Sequence, residues 1–172
     1  MLHLKNGRGQ LGDLLSLQRA EIKRDIYLYH TWAVKDKSET TQEKEYLKFK
    51  EFIDKHNKHE VVFVSTKSTK NTWYTHFKRK SEEYLLTNCK KGFIIRLPTF
   101  IGKPCKLFSG DKKVVPHGDV ELITVTNAAT EIIRLCGDGK KKRVSEIDGE
   151  TIPAKLVLDI LSVFENDGKK TK

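Results

Sequence analysis

The chain has 172 residues, with 33 Lys and Arg against 23 Asp and Glu, giving a net charge of +10. That length suits one domain with a substantial core, and no apolar run approaches the roughly 18 residues of a membrane-spanning helix. The cysteines, Cys89, Cys105 and Cys136, lack metal-ligand spacing, and so sparse and odd a set points to a reducing, cytoplasmic setting. The positive excess has two readings, an anionic partner or a solvated lysine-rich surface. The basic residues are spread along the chain and lysines outnumber arginines, whereas base-reading interfaces lean on arginine geometry. A solvated surface is therefore the simpler reading, and no nucleic-acid partner is expected. Met1 is followed by a short apolar and basic stretch without the apolar core or cleavage site of a signal peptide.

In chain order, Leu2 to Leu4 is strand-like and runs into Gly7-Arg8-Gly9-Gln10-Leu11-Gly12, a G-x-G-x-x-G. Leu11, Leu14, Leu15 and Leu17 follow with helical spacing. Strand, glycine turn and helix are the context a dinucleotide fingerprint requires. The glycines allow a tight turn and close approach of the backbone, and the helix N-terminus offers free N–H groups to a pyrophosphate. A glycine-rich turn without a ligand gives the same pattern. Arg8, inside the turn, suits a 2′-phosphate. The acidic residue expected about 20 positions on is not evident, since Glu21 and Asp25 stand too close to the turn. Asp25 to Trp32 reads as another strand, with His30 at its end. Lys35 to Lys58 is highly charged, but Tyr46, Phe49, Phe52 and Ile53 recur at helical spacing, which predicts an amphipathic helix. Thr40 or Thr41 is the candidate cap, with Glu43 in the first turn.

Val61-Val62-Phe63-Val64 is a continuous run of β-formers and predicts a strand buried on both faces. It stops at two hydroxyls, Ser65 and Thr66. A helix from Trp73 to Leu86 would place Tyr74 and Lys78 on one face. An ammonium beside a phenol favours the phenolate and lowers its pKa, so the pair suits proton transfer to or from an alcohol or carbonyl. Lys90-Lys91-Gly92 ends that helix, and Phe93 to Leu97 is a second apolar strand. Strand, helix and strand from Val61 to Leu97 predict a right-handed parallel crossover. Pro98 to Pro104 follows, then a loop-like stretch from Cys105 to His117. Its lysines Lys106, Lys112 and Lys113, with Lys103 just before it, read either as solvated or as partners of a diphosphate. Val120 to Val125 alternates like a strand, and Thr126 is the candidate cap of a helix reaching Leu135. Lys140 to Arg143 is a basic turn, Val144 to Ile147 a short strand and Asp148-Gly149 a turn. Pro153 stands near the first turn of a last helix, Ala154 to Phe164, and Glu165 to Lys172 is a polar tail.

Ser65-Thr66 at a strand end, Tyr74-x-x-x-Lys78 opening the next helix, and a following strand ending Arg96-Leu97-Pro98, all after the glycine turn, resemble the short-chain dehydrogenase/reductase superfamily. The nearest branch is the extended type, which holds nucleotide-sugar epimerases, dehydratases and reductases. The resemblance implies an α/β, Rossmann-like three-layer fold with a mostly parallel sheet. Residues 1–104 would be the dinucleotide-binding core, and 105–172 a reduced substrate-side segment in the same domain. It implies NADP or NAD bound by Gly7, Arg8, Gly9, Gln10, Leu11 and Gly12, with His30, Ser65, Lys78 and Pro98 completing the set. His30 reads equally as a packed histidine at a strand end. By resemblance Tyr74 exchanges the proton, Lys78 holds the ribose and lowers the tyrosine pKa, and Thr66 orients the substrate oxygen of a nucleotide sugar. The two long helices would pair in a homodimer.

Several departures from the family stand out. Thr66 precedes Tyr74 by only eight residues, closer than the family's spacing. The two strands that the family inserts after its first helix have room for at most one short one here. The Lys35–Lys58 helix lacks the family's proton-relay asparagine, Asn57 being at its far end. Lys67 and Ser68 follow the hydroxyl where dehydratases carry acids, which argues against dehydration. A non-catalytic dinucleotide-binding relative, serving as a binding or regulatory module, is the alternative function.

Overall fold

Five parallel strands make the main sheet, in the order β1-β2-β3-β4-β7. The computed structural model describes residues 1–5, 9–101, 118–138 and 143–157. Gly7 and Arg8, the 102–117 stretch with its four lysines, the basic residues 140–142 and the tail beyond Val157 lie outside the described residues. The strands are β1 (Leu2–Leu4), β2 (Ile26–Tyr29), β3 (Glu60–Thr66), β4 (Gly92–Leu97) and β7 (Val144–Glu146). Helices α1 (Gln10–Gln18), α2 (Glu39–His56), α3 (Trp73–Asn88) and α4 (Val125–Gly137) cover the two faces. A second, three-stranded sheet joins β5 (Thr99–Ile101), β6 (Asp119–Thr124) and β8 (Glu150–Pro153). In it β5 runs parallel to β6, and β8 antiparallel. The architecture is the expected α/β, Rossmann-like one.

The sheet is buried on both sides because its two central strands carry unbroken apolar runs, Val61 to Val64 and Phe93 to Ile95. Val62 and Val64 point with Leu28, Phe93 and Ile95 into a core shared by α1 and α4. Val61 and Phe63 point with Tyr29 and Ile94 the other way, against Phe49, Phe52 and Ile53 of α2 and Leu85 of α3. Continuous rather than alternating apolar runs are what two covered faces demand. Leu11 and Leu15 supply the buried stripe of α1, whereas Leu17 stands 79% exposed and takes no part in it.

Several boundaries differ from expectation for local reasons. The cap of α2 is Ser38, whose Oγ accepts from the Thr41 N–H, while the Thr41 hydroxyl bonds Asp36. The cap of α4 is Thr124, accepting from the Asn127 N–H at 3.1 Å, two residues before the expected Thr126. No strand is inserted between α1 and β2, only a 3₁₀ turn (Arg19–Glu21).

That short link has a topological result. The steps β1 to β2, β2 to β3 and β3 to β4 all go the same way across the sheet. Yet α1 crosses on one face and α2 and α3 on the other. Connections that step alike over opposite faces have opposite hands. With α2 and α3 following the right-handed rule, the α1 connection is left-handed. The chain thus leaves β1 and β2 toward opposite faces, and their carboxyl ends border a crevice, the position where open α/β sheets bind ligands.

Candidate functional site

All five main strands are parallel, so their carboxyl ends share one edge, and the predicted residues collect there. Gly9 follows β1, His30 follows β2, Ser65 and Thr66 end β3, and Pro98 follows β4. Gly9 has φ +86°, a conformation side chains rarely adopt, and a Cβ built on it would meet nothing within 4 Å. It precedes α1 without any side-chain cap, so the first-turn N–H groups keep their hydrogen-bonding capacity at this edge. Gln10 opens α1, and Leu11 and Gly12 are buried in it.

Helix α3 brings Tyr74 and Lys78 to the end of β3. Thr72 caps the helix, its hydroxyl accepting from the Thr75 N–H at 3.2 Å. Arg79 donates to the carbonyl oxygens of Thr66 at 2.9 Å and Ser68 at 3.4 Å, which ties the helix to the loop after the strand. Glu82, nearly fully buried, takes the Arg96 guanidinium on both oxygens, at 2.6 Å to one and 3.2 Å to the other. It also binds Arg79. These contacts fix the helix that carries the pair.

Lys78 is 3% exposed. Its Nζ donates to the Val64 carbonyl oxygen at 2.9 Å and lies 4.4 Å from the centre of the Trp32 ring and 4.5 Å from that of Phe63. The Tyr74 ring centre is 5.9 Å away. Burial drives the lysine down to about 7, against the nearby carboxylates of Glu82 and Glu45. Burial likewise pushes the Tyr74 phenol up to about 12, opposed by a hydrogen bond with the Thr66 hydroxyl. The expected lowering by Lys78 is not seen: burial moves the phenol upward, and Lys78, itself half discharged near neutrality, is not among the groups that shift it. Tyr74 is thus a protonated acid at neutral pH.

His30 is held neutral, down to about 4, by burial and by the charge of Lys78. Among the described residues, its Nε2 and the Oγ of Ser65, a residue 5% exposed, are buried without a hydrogen-bond partner. Two orphaned polar atoms at one sheet edge are unusual in a native fold. A shallow groove of about 800 Å³ adjoins the site, lined by Thr69, Lys70, Asn71, His76, Arg79 and Lys80 among others, without reaching Tyr74 or Lys78.

The sequence reading missed Trp32 and Gln42. The fully buried Gln42 accepts from the Trp32 indole at 2.7 Å and donates to the carbonyls of Ala33 and Asp36. It thereby holds Trp32 over Lys78. A glutamine among charged residues near the start of a helix carried no sign of that role. Among the described residues no cluster suits a metal ion, and no helix is long and apolar enough to cross a membrane.

No known family profile and no curated protein matches the sequence. Solved structures do match its fold. The dTDP-4-dehydrorhamnose reductase of Bacillus anthracis, in complex with NADP, superposes with a TM-score of 0.71 at 13% identity, over 96% of this chain and 80% of that one. A GDP-L-fucose synthetase from Naegleria fowleri, bound to NADP, gives 0.70 at 8% identity, over 95% and 82%. The UDP-N-acetylglucosamine 4-epimerase of Bacillus cereus gives 0.64 at 14%, over 95% and 84%. These proteins share the Rossmann-like fold described above, and this chain spans 80–84% of their length.

Proposed function

We propose that the chain is an NAD(P)-dependent reductase or epimerase-like protein acting on a carbonyl or hydroxyl of a nucleotide sugar. The observation that carries this is the meeting of Thr66, Tyr74 and Lys78 at the edge bordered by Gly9 and His30. The structural neighbours named as nucleotide-sugar reductase, synthetase and epimerase support the substrate class.

The residues present fit NADP or NAD. Gly9 and the uncapped start of α1 suit a pyrophosphate, and the Ser65 Oγ and His30 Nε2 stand ready for hydrogen bonds. Such a cofactor, when bound, supplies the hydride. The chain's own residues supply the proton and the orientation. Tyr74, protonated at neutral pH, donates to a developing alkoxide, with the Thr66 hydroxyl beside it to align the substrate oxygen. Carbonyl reduction requires the phenol in its protonated form, which Tyr74 keeps at neutral pH. Lys78, boxed by Trp32 and Phe63, gives one N–H to the Val64 carbonyl and would hold a ribose with the others.

The alternative is a non-catalytic relative that binds the cofactor without turnover; the burial of Tyr74 and Lys78 favours it. Unfolding with and without each dinucleotide separates the readings from a chain that binds neither. A ligand at 100 times its Kd adds about 2.7 kcal/mol. Tyr74→Phe is expected to keep that gain and to lose carbonyl reduction. No gain with either dinucleotide removes both readings, and gain without wild-type turnover leaves the binding module.

A further inference from the structure

We infer, on the cofactor reading above, that this crevice is built for one mononucleotide, nicotinamide ribose 5′-phosphate, and leaves the adenosine half of a dinucleotide unrecognised. A doubly wound sheet normally sets two βαβαβ halves across the crevice, one for each mononucleotide. Here one half is complete: β2, β3 and β4 with α2 and α3, bearing His30, Ser65, Tyr74 and Lys78. On the other side, among the described residues, stand only β1 and α1. Among the described residues β1 is the edge of its sheet. After α1 the chain passes one 3₁₀ turn and enters β2, whose Ile26 pairs with Leu2. No strand that could carry an adenosine intervenes.

The chemistry agrees with the topology. The adenosine ribose is ordinarily held by a carboxylate ending the strand after the glycine turn, about 20 residues on. The strand in that place is β2, which ends Tyr29-His30-Thr31-Trp32. Tyr29 is committed to the core, edge-on to Trp32, Phe49 and Phe52. His30 is held neutral beside Lys78, and Trp32 lies over that lysine. His30 and Trp32 thus face Lys78, Tyr29 fills the core, and no residue at the end of β2 offers a carboxylate to a ribose diol. What remains toward β1 is the open backbone at Gly9 and the uncapped first turn of α1, which suit a single phosphate. The orphaned, 5%-exposed Ser65 lies on the side that is complete.

The test is calorimetric titration of the full chain with nicotinamide mononucleotide, NAD, NADP and ADP-ribose. Nicotinamide mononucleotide, NAD and NADP are expected to bind with Kd values within about threefold of one another, and ADP-ribose is expected not to displace them. Binding of NAD or NADP at least tenfold tighter than the mononucleotide, or displacement by ADP-ribose, would show that adenosine is recognised and overturn this inference alone. Binding by none of the four removes it together with the cofactor reading.

Discussion

Lys78 is a cation in an aromatic box, and the box sets its titration. Burial lowers it from an ordinary 10.5 to about 7. Between those two values the unfolded chain carries a proton that the folded chain has shed, so stability rises with pH across that window. Below about 7 both states are protonated and the full cost of the buried charge is felt. One group in mid-window contributes a slope of roughly 1.4 kcal/mol per pH unit. Lys78→Met keeps the stem's packing and removes the charge. It is expected to be more stable than the wild type at pH 6, with the advantage shrinking steadily toward pH 9. Urea unfolding of both proteins at pH 6, 7.5 and 9 measures this, and parallel curves would mean that Lys78 is not desolvated as described. His30 titrates in a separate window. Its neutral folded form withholds a proton that the unfolded chain takes up below about 6.5, so it weakens the fold as pH falls from there toward 4.

Helix α3 is the element on which the site depends, and its attachment rests on Glu82 more than on apolar area. Of its sixteen residues, the buried ones include Thr75, Lys78, Ser81 and Glu82 beside only Phe77 and Leu85. Glu82 satisfies two guanidiniums, Arg96 from β4 and Arg79 from its own helix, and Arg79 in turn holds the Thr66 carbonyl. Glu82→Ala takes from both cations their buried partner, leaving Arg96 the exposed Glu146 and Arg79 two carbonyl oxygens. Breaking a buried pair from one side costs about 3 kcal/mol. That loss is expected in urea unfolding at pH 7.5, together with weakened turnover as the Thr66–Tyr74 contact loosens. Arg96→Ala is expected to cost less, because Glu82 keeps Arg79 and Arg96 is partly solvated. Equal costs for the two variants would contradict the central place given to the carboxylate.

At the scale of the whole molecule, what could be read in advance was whatever a single stretch dictates. Val61 to Val64 and Phe93 to Leu97 announced buried parallel strands because both faces of each are covered, and the spacing of Tyr74 and Lys78 announced a shared helix face. The caps were missed because Ser38, Thr40 and Thr41, or Thr124 and Thr126, are equal candidates until the first turn is placed. Strands β5 and β8 were missed because three or four residues carry no period of their own. The face on which α1 crosses was illegible, since it depends on Leu11 and Leu15 meeting Ala128, Ala129 and Ile132 more than 100 residues away. The joint between the two sheets was equally hidden, and it turns on Gly149. A Cβ there would lie 2.3 Å from the Leu122 carbonyl oxygen and 3.1 Å from Pro98 Cγ. The first is backbone of β6 and cannot swing aside. The Gly149 N–H also donates to Glu121 at 2.8 Å, and that carboxylate receives Lys67, the residue after Thr66, at 2.6 Å. One step back, the Ile147 N–H donates to the Arg96 carbonyl at 2.9 Å. The turn therefore pins β6 to the ends of β3 and β4, and crowding it pushes the small sheet off the site. Gly149→Ala is expected to cost about 1–3 kcal/mol, the range for an overpacked interior. Glu121→Gln removes the ion pair without adding volume and is expected to cost about 1 kcal/mol or less, as its side chain is partly exposed. Urea unfolding ranks the two. If Gly149→Ala proved the milder, the close backbone approach between the turn and β6 would be wrong, and with it the way the second sheet is joined to the ends of β3 and β4.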